Sequence, residues 1–139
     1  MEIGFLDVGQ IDESKLVVVL IVSKHKDKWV YVRHEKRTTL ELPGGHIEDG
    51  EEIDIAARRE LYEETGAKEF ELTPVNDYYV KEGDIINYGR LYYSNIKTFD
   101  KLPDYEIAEI KLLDSKPKHM TYPQIQEALY SRVLEFLRN

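Results

Sequence analysis

The chain has 139 residues, of which 42% are apolar and 33% are charged, a composition typical of a folded domain rather than of a disordered segment. It contains no cysteine, which excludes disulfides, thiol catalysis and cysteine-bound zinc. The formal net charge of -8 argues against stable binding to nucleic acid or to anionic membranes, because both attract basic surfaces.

The first predicted element is a buried strand over Lys15–Val22, which is rich in β-branched residues. Its strictly apolar part, from residue 16 to residue 22, is too short to span a bilayer, which needs about 20 residues. The N-terminus carries acids where a secretory signal carries bases. We therefore expect a cytoplasmic protein that forms one domain over residues 1–139.

A hairpin and a sharp break follow the first strand. Asp27-Lys28 predicts a turn, and the alternating segment Trp29–Arg33 predicts the second strand of the hairpin. Leu40–Leu42 then leads into Pro43-Gly44-Gly45, where the chain must break direction.

The middle of the chain predicts one helix and two long strands. The helix covers Ile53–Thr65, and Gly66 stands where a left-handed cap residue belongs. Phe70–Val80 and Ile85–Ile96 are rich in tyrosine, isoleucine and valine and predict strands around a turn at residues 82–84.

The last predicted elements are a short strand over Glu106–Leu113 and a helix from Pro123 to Leu137, with proline in its first turn. Strands interspersed with two helices indicate an α+β fold. We expect a mixed central sheet with helices packed on it, in an α/β/α sandwich.

The helix Ile53–Thr65 carries carboxylates in unfavourable places. On a helical projection Ile53, Ala57 and Leu61 form the buried side, and Glu60 and Glu64 fall within roughly 40° of Ile53. Like charges four residues apart cost about 0.2–0.5 kcal/mol, and anions in the last helical turn cost about 0.3–1 kcal/mol each.

The surrounding window, residues 48–64, holds eight acidic and two basic side chains, a local charge of -6. A solvated acidic face is the ordinary explanation of such a run. Carboxylates beside a buried face and at the wrong helix end instead favour a site for a hard divalent cation, which offsets their repulsion.

The spacing around this helix is specific. The segment GHIEDGEEIDIAARRELYEETGA fits the pattern G-x5-E-x7-R-E-U-x-E-E-x-G-U, where U is an aliphatic residue. This pattern resembles the Nudix box, and LELPGG before it is similar to the entry of the box in MutT-like members. The matched residues are Gly45, Glu51, Arg59, Glu60, Leu61, Glu63, Glu64, Gly66 and Ala67.

The resemblance implies a role for each matched residue. Glu60, Glu63 and Glu64 would bind metal, together with the Gly45 carbonyl, and Glu60 would be a candidate for the base that takes a proton from the attacking water. The implied cofactor is Mg²⁺, with Mn²⁺ as a second choice.

Two further box residues would act on the glutamates. Arg59 would pair with a box glutamate and fix its rotamer, and Glu51 would tie the loop to the helix, with a metal-binding role as an alternative. The catalytic residues that the resemblance implies are thus Arg59, Glu60, Glu63 and Glu64.

Outside the box, the sequence leaves alternatives open. Glu106 or Asp104 is a candidate for a further metal-binding carboxylate, and a solvated loop is the alternative. Arg33 is a candidate for contact with phosphate or base, against an ordinary surface arginine.

Three more residues are candidates for contact with the base. Tyr88 and Tyr92 lie on one face of a predicted strand and are candidates for base stacking, against simple packing. Gln124 is the amide nearest the position where MutT-like enzymes recognise oxidised guanine with an asparagine, so guanine specificity stays open.

The resemblance implies a metal-dependent pyrophosphohydrolase. The leading hypothesis is cleavage of nucleoside triphosphates, oxidised ones included, to a monophosphate and pyrophosphate. Alternatives are dinucleoside polyphosphates, nucleotide sugars and capped RNA ends, or a nucleotide-sensing module that does not cut. A homodimer is compatible with the sequence, but no segment specifies one.

Overall fold

The computed structural model describes residues 1–139, which form a seven-stranded mixed sheet with one helix on each face. A single 3-10 turn, Glu13–Lys15, precedes the second strand. The strands are β1 (Glu2–Leu6), β2 (Leu16–His25), β3 (Lys28–His34), β4 (Gly44–His46), β5 (Ala67–Glu82), β6 (Ile85–Phe99) and β7 (Ile107–Leu113), and the helices are α1 (Ile53–Thr65) and α2 (Pro123–Arg138).

The sheet order is β1-β5-β6-β2-β3-β7, with β4 beside β2. The central pair β2 and β6 runs parallel, and every other pair is antiparallel. This confirms the predicted α+β fold with a mixed sheet.

The two faces of the sheet each pack against one helix. Along β2 the alternation of side chains sends Val19 and Ile21 to one face and Val22 to the other. The first face packs against α1 through Ile53, Ala56, Ala57 and Leu61, and we call this cluster the α1-side core. The second packs against α2 through Leu129, Tyr130 and Val133, and we call it the α2-side core. The three layers are those predicted.

Two different strands occupy the same edge of β2. β3 pairs with its last residues, Ser23 to His25, while β4 pairs with Val18 to Leu20. The register places Gly45 opposite Val19. The glycine loop is therefore fixed to the central strand of the sheet, beside the face that carries α1.

The helix α1 has the bounds that the sequence predicts. Its buried side includes Ile53, Ala57 and Leu61, and it ends at Gly66, whose φ of 76° is left-handed and whose N–H donates to the Tyr62 carbonyl. The strand predicted from residue 106 begins at Ile107 instead, which leaves Glu106 in the preceding loop. Neither helix is both long and apolar enough to cross a membrane.

Candidate active site

The acidic side of α1 faces the protein body, as the helical projection predicts. Glu64 is only 8% exposed, and the side chains of Glu60 and Glu63 are largely buried. Burial of carboxylates without compensation is unfavourable, so their partners determine what the cluster can do.

Arg59 is the main partner of these carboxylates. Its Nε and Nη2 atoms donate to the two Glu51 oxygens at 2.8 and 3.0 Å, and its Nη1 atom donates to both Glu60 (2.9 Å) and Glu63 (3.0 Å). Nη2 also donates to the His46 carbonyl at 3.0 Å. One guanidinium therefore ties the loop before α1 to the helix and sets the orientation of two further glutamates.

Glu51 also organises the loop itself. Its Oε1 atom accepts a hydrogen bond from the Glu48 N–H at 3.0 Å, and the Arg59 guanidinium keeps the pKa of Glu51 below its ordinary value. This position matches the sequence expectation that Glu51 ties the loop to the helix.

Gly45 allows the Glu60 carboxylate to approach the backbone closely. A Cβ at position 45 would lie only 2.5 Å from the Glu60 carboxyl carbon, well inside van der Waals contact. Only glycine leaves room for this approach. The structure thus brings together two residues for which the resemblance implies metal binding, Gly45 through its carbonyl and Glu60 through its carboxylate.

Glu64 lacks a cationic partner of comparable strength. Its Oε1 atom accepts the Gly44 N–H at 3.0 Å, but burial raises the pKa of Glu64 to about 8. The nearby charges of Glu60, Glu41 and Glu106 act in the same direction. Burial likewise raises the pKa of Glu60, against the opposing effect of Arg59. The site therefore holds more negative charge than its own cations balance.

His34 lies among these carboxylates and was not predicted. Its Nε2 atom is 3.5 Å from Glu64 Oε2 and 3.6 Å from Glu41 Oε2, and its Nδ1 atom is 3.9 Å from Glu106 Oε2. The alternation of side chains along β3 indicates where His34 points, because His34 lies on the same face of the strand as Val30, which packs in the α1-side core. The predicted strand ends at Arg33, so His34 falls outside it, whereas β3 continues to His34.

The donor set suits a hard divalent cation. All candidate ligands are oxygens, as Mg²⁺ and Mn²⁺ prefer. A bound ion would also give the Glu64 carboxylate the cationic partner that it lacks. No three acidic or histidine side chains converge closely enough here to coordinate one ion. Glu60 and Glu63 are instead bridged by the Arg59 Nη1 atom, a cation of the protein itself.

A cleft of about 820 Å³ opens beside this cluster. One part of its wall is formed by charged and backbone groups of α1, β3, β4 and their loops. The other part is formed by apolar and amide side chains, several of which belong to the α2-side core. The polar lining includes His34, Glu41, Gly44, Gly45, Arg59, Glu60, Glu64 and Glu106, and the rest includes Val18, Leu20, Tyr78, Val80, Asn87, Tyr122, Ile125 and Gln126.

The sequence profile described as the NUDIX domain matches residues 13–116, most of the chain and all of the cluster just described. The chain belongs to the Nudix family. Its matched segment contains the whole Nudix box, from Gly45 to Ala67.

Two curated relatives show the range of this Nudix chain's similarities. A Bacillus subtilis protein named an 8-oxo-dGTP diphosphatase, a name marked as provisional, is 33% identical over 105 residues, which are 76% of this chain and 65% of the relative. An RNA pyrophosphohydrolase of Bartonella henselae is 43% identical over 60 residues, which are 43% of this chain and 31% of the relative. The chain thus spans less than two thirds of either relative.

The fold is also that of solved Nudix-type structures. A mutant of a Bacillus subtilis pyrophosphohydrolase superposes with a TM-score of 0.80 at 22% identity, covering 96% of this chain and 90% of the other. At that identity the likeness supports the fold alone.

The four predicted catalytic residues of the Nudix box lie together, with one difference among them. Arg59, Glu60 and Glu64 line the cleft, whereas Glu63 lies outside its lining and reaches it through Arg59. Of the two further carboxylates considered, Glu106 lines the cleft and is 82% exposed, and Asp104 does not line it.

Arg33 does not line the cleft. Its Nε atom donates to Glu109 at 2.8 Å, directly across the β3–β7 pair, and its Nη1 atom donates to the Arg37 carbonyl. The same ion pair lowers the pKa of Glu109. The cleft cation on this side is Arg37, whose Nη1 atom bonds Glu41 Oε1 at 2.8 Å.

The two tyrosines proposed for stacking belong to the α1-side core or pack against it, and they do not border the cleft. Tyr92 is 0% exposed in the α1-side core and its hydroxyl donates to Asp54, while Tyr88 packs against the same core. Neither lines the cleft, so neither has access to a base bound there. The aromatic residues that do line it are Tyr78 of β5 and Tyr122 at the start of α2.

The amide that lines the cleft is Gln126, two residues after the predicted Gln124 along α2. Gln124 is exposed and outside the cleft, whereas Gln126 is buried and lines it. The signal is in the sequence, because Gln126 precedes Leu129, Tyr130 and Val133 at spacings of three, four and seven, the buried side of the helix. The resemblance indicates only the start of the helix, where Gln124 is the nearest amide.

Proposed function

We propose that this Nudix chain is a metal-dependent pyrophosphohydrolase that cleaves nucleoside triphosphates, oxidised forms included, to a monophosphate and pyrophosphate. The observation that supports this most directly is the cleft, which joins a carboxylate-rich wall to an apolar wall with amide side chains. The first wall suits a phosphate chain with its cations, and the second suits a base.

The proposed cofactor is Mg²⁺, with Mn²⁺ as a substitute. Glu60 and Glu64, the Gly45 carbonyl, Glu63 once released from Arg59, and Glu106 at the rim are the groups that would hold it. When bound, such ions neutralise phosphate oxygens and lower the pKa of water.

The chain's own side chains would then position the reaction. Arg59 holds Glu51 and Glu60 in fixed orientations, and the Gly44 N–H occupies Oε1 of Glu64. Glu60 is our candidate for the group that accepts a proton from the attacking water. Because it is largely buried, its carboxylate is more basic than an exposed one.

The names of two relatives guide the choice of substrate. One is called an 8-oxo-dGTP diphosphatase, which favours free nucleotides, and oxidised guanine nucleotides among them. The other is called an RNA pyrophosphohydrolase, which makes a triphosphorylated RNA end the second candidate. Dinucleoside polyphosphates, nucleotide sugars and a binding module without activity complete the set to be separated.

The test is phosphate and pyrophosphate release from a panel containing these substrates, with and without Mg²⁺. We expect release from nucleoside triphosphates, and a loss of about tenfold or more in Glu60→Gln and Glu63→Gln. Glu52→Gln is the matched control, because Glu52 is exposed at the start of the same helix and outside the cleft. Nucleotide binding without release from any substrate would contradict the proposal and indicate a sensing module.

A further inference from the structure

We infer that Arg37 binds a phosphate group beyond the first one of a nucleotide and so distinguishes nucleoside triphosphates from monophosphates, with Tyr122 as the residue that positions it. The inference rests on the proposed function only in taking a nucleotide as the ligand of the cleft. The evidence is the distribution of positive charge in the cleft, the contacts of Arg37 and the backbone conformation of Tyr122.

Arg37 and Arg59 are the two permanently cationic side chains in the lining of the cleft. Arg59 makes five hydrogen bonds, as many as the N–H groups of its guanidinium, and all of them go to the protein itself. Arg37 makes one side-chain hydrogen bond, from Nη1 to Glu41 at 2.8 Å. Most N–H groups of Arg37 therefore stay available to an anionic ligand, and those of Arg59 do not.

The backbone of Arg37 is held in place, so its side chain starts from a defined position. The Arg37 N–H donates to the His34 carbonyl at 3.0 Å, and the Arg37 carbonyl accepts from Arg33 Nη1 at 3.1 Å. Arg33 is in turn bonded to Glu109 across the β3–β7 pair. Arg33, which is itself outside the cleft, thus supports the loop that carries Arg37.

Tyr122 has a backbone conformation that a bulky residue seldom adopts. Its φ of 48° and ψ of 59° are left-handed. The preceding residues are bonded to Leu40 on both sides, since the Leu40 N–H donates to the His119 carbonyl at 3.0 Å and the Thr121 N–H donates to the Leu40 carbonyl at 2.8 Å. Unfavourable backbone that the surroundings enforce occurs often at functional sites.

The enforced conformation brings the Tyr122 ring against Arg37. The guanidinium carbon lies over the ring, 5.6 Å from its centroid, which is within the range of a cation–π contact. With Glu41 bonded at one edge and the ring covering one face, the plane of the guanidinium is fixed. Tyr122 acts through Arg37, which makes it a positioning residue.

Arg37 lies beside the carboxylates that are candidates for metal binding. Its partner Glu41 is 3.6 Å from His34 Nε2, and the same nitrogen is 3.5 Å from Glu64. One imidazole nitrogen therefore separates the carboxylate that holds Arg37 from a carboxylate of the acidic wall. A phosphate chain with its cations at Glu64 has Arg37 as the next positive group.

The depth of the cleft indicates which end of a nucleotide would meet Arg37. In the part with apolar and amide side chains, Gln126 is 3% exposed, and its Oε1 atom accepts the Leu42 N–H at 2.7 Å. The Arg37 side chain is 41% exposed. A nucleoside buried in the inner part would leave the phosphate farthest from it near Arg37, and a monophosphate has no such group.

The first test measures the affinities of GMP and of a non-hydrolysable GTP analogue by calorimetry in Mg²⁺, for wild type, Arg37→Gln and Lys36→Gln. Arg37→Gln removes the charge, and Lys36→Gln removes the same charge from the exposed neighbour, which is outside the cleft. We expect Arg37→Gln to weaken binding of the analogue about tenfold and of GMP less than about twofold, with little change in Lys36→Gln.

Three results of this test would overturn the inference. The first is unchanged affinity for the analogue in Arg37→Gln. The second is a loss of the same size for GMP, because that result places Arg37 at the nucleoside or its first phosphate. The third is the same loss in Lys36→Gln, which would make the effect one of overall charge.

The second test concerns Tyr122 and compares Tyr122→Phe with Tyr122→Asn. Asparagine adopts left-handed backbone more readily and lacks the ring, so Tyr122→Asn should unfold at the wild-type temperature or above it and still bind the analogue as weakly as Arg37→Gln does. Tyr122→Phe keeps the ring and should keep the affinity. Wild-type affinity in Tyr122→Asn, or its loss in Tyr122→Phe, would contradict the positioning role.

Binding and hydrolysis are measured separately, so the inference and the proposed function can fail separately. Selective loss of analogue binding in Arg37→Gln, without cleavage of any substrate by wild type, supports the inference and contradicts the proposed activity alone. Cleavage of triphosphates with the same kcat/KM in wild type and Arg37→Gln overturns the inference and leaves the activity standing.

Discussion

The guanidinium of Arg59 donates hydrogen bonds to three carboxylates and one carbonyl, so a single side chain sets the geometry of the acidic wall. Its planar fork makes this possible, and a lysine in its place has one ammonium group and no fork. The residue acts through the glutamates, which makes it a positioning residue.

We therefore predict that Arg59→Lys lowers kcat/KM by about 10- to 100-fold and weakens activation by Mg²⁺, with the fold retained. Steady-state kinetics across a Mg²⁺ titration measures both effects. Arg58→Lys is the matched control, because Arg58 is next to Arg59, is exposed and lies over the Phe70 ring without holding any of these glutamates. Equal losses in the two variants would show that the loss does not come from the fork of Arg59.

Glu64 gives a second prediction at the residue scale, on stability without metal. The pKa of Glu64 in the folded protein is about 8, above the ordinary 4.5. Its stabilising contribution is therefore fully present below pH 4.5 and is lost as the pH rises through 8. In EDTA, wild type should lose stability from pH 5 to pH 8 relative to Glu64→Gln, which cannot ionise.

The loss should be a few kcal/mol at most, because one pKa unit corresponds to about 1.4 kcal/mol. Urea unfolding of both proteins at each pH measures the difference in the free energy of unfolding. A difference that stays constant with pH would show that Glu64 titrates normally.

At the scale of elements, the end of α1 depends on Gly66. Its φ of 76° is left-handed, and a Cβ there would lie 2.8 Å from the Asp100 carbonyl oxygen. Gly83, in the β5–β6 turn, has a φ of 58° but open space around it. The two glycines thus share a backbone conformation and differ in their surroundings.

We predict that Gly66→Ala destabilises the protein more than Gly83→Ala does. Both should lose about 1–2 kcal/mol from the left-handed conformation, and only Gly66→Ala adds a clash with backbone. Thermal unfolding of both variants gives the comparison. If the two losses were equal, the contact with Asp100 would have no energetic weight.

The elements that sequence predicts well are those encoded locally. The bounds of α1 follow from the periodicity of Ile53, Ala57 and Leu61 and from one glycine. β1 and β4 were not predicted because pairing with distant strands creates them. Gly44–His46 has no strand propensity, and β2 alone makes it a strand.

The same distinction applies to the site. The box residues were predicted because their spacing lies within one segment, and the structure places them around Arg59. His34 and Gln126 come from other elements, and only the three-dimensional packing brings them to the cleft. Tyr92 packs in the core, which is the alternative that the sequence left open, because alternation alone does not tell which side chains of a central strand border a cavity.

For the whole molecule, charge limits how an anionic ligand can bind. The net charge is -8, and six glutamates line the cleft: Glu41, Glu48, Glu60, Glu64, Glu82 and Glu106. Phosphates brought to this wall without cations meet like charge, which salt screens only in part.

We predict that nucleoside triphosphate binding is at least about tenfold weaker in EDTA than in Mg²⁺, and that added salt partly restores it in EDTA. Calorimetry under the four conditions tests this, with a non-hydrolysable triphosphate analogue so that Mg²⁺ does not start turnover. Guanosine, which lacks phosphate, is the control, and its affinity should not depend on Mg²⁺. Metal-independent triphosphate affinity would mean that binding does not involve the acidic wall.

The Leu42–Gly44 segment, which is bonded to one helix at each end, works as a rigid spacer. For a nucleotide bound in the cleft, such a spacer would fix the nucleoside and its nearest phosphate, which are identical in mono-, di- and triphosphates of one nucleoside. Selection for the number of phosphates would then arise farther out, where the chain of phosphates meets the mouth of the cleft.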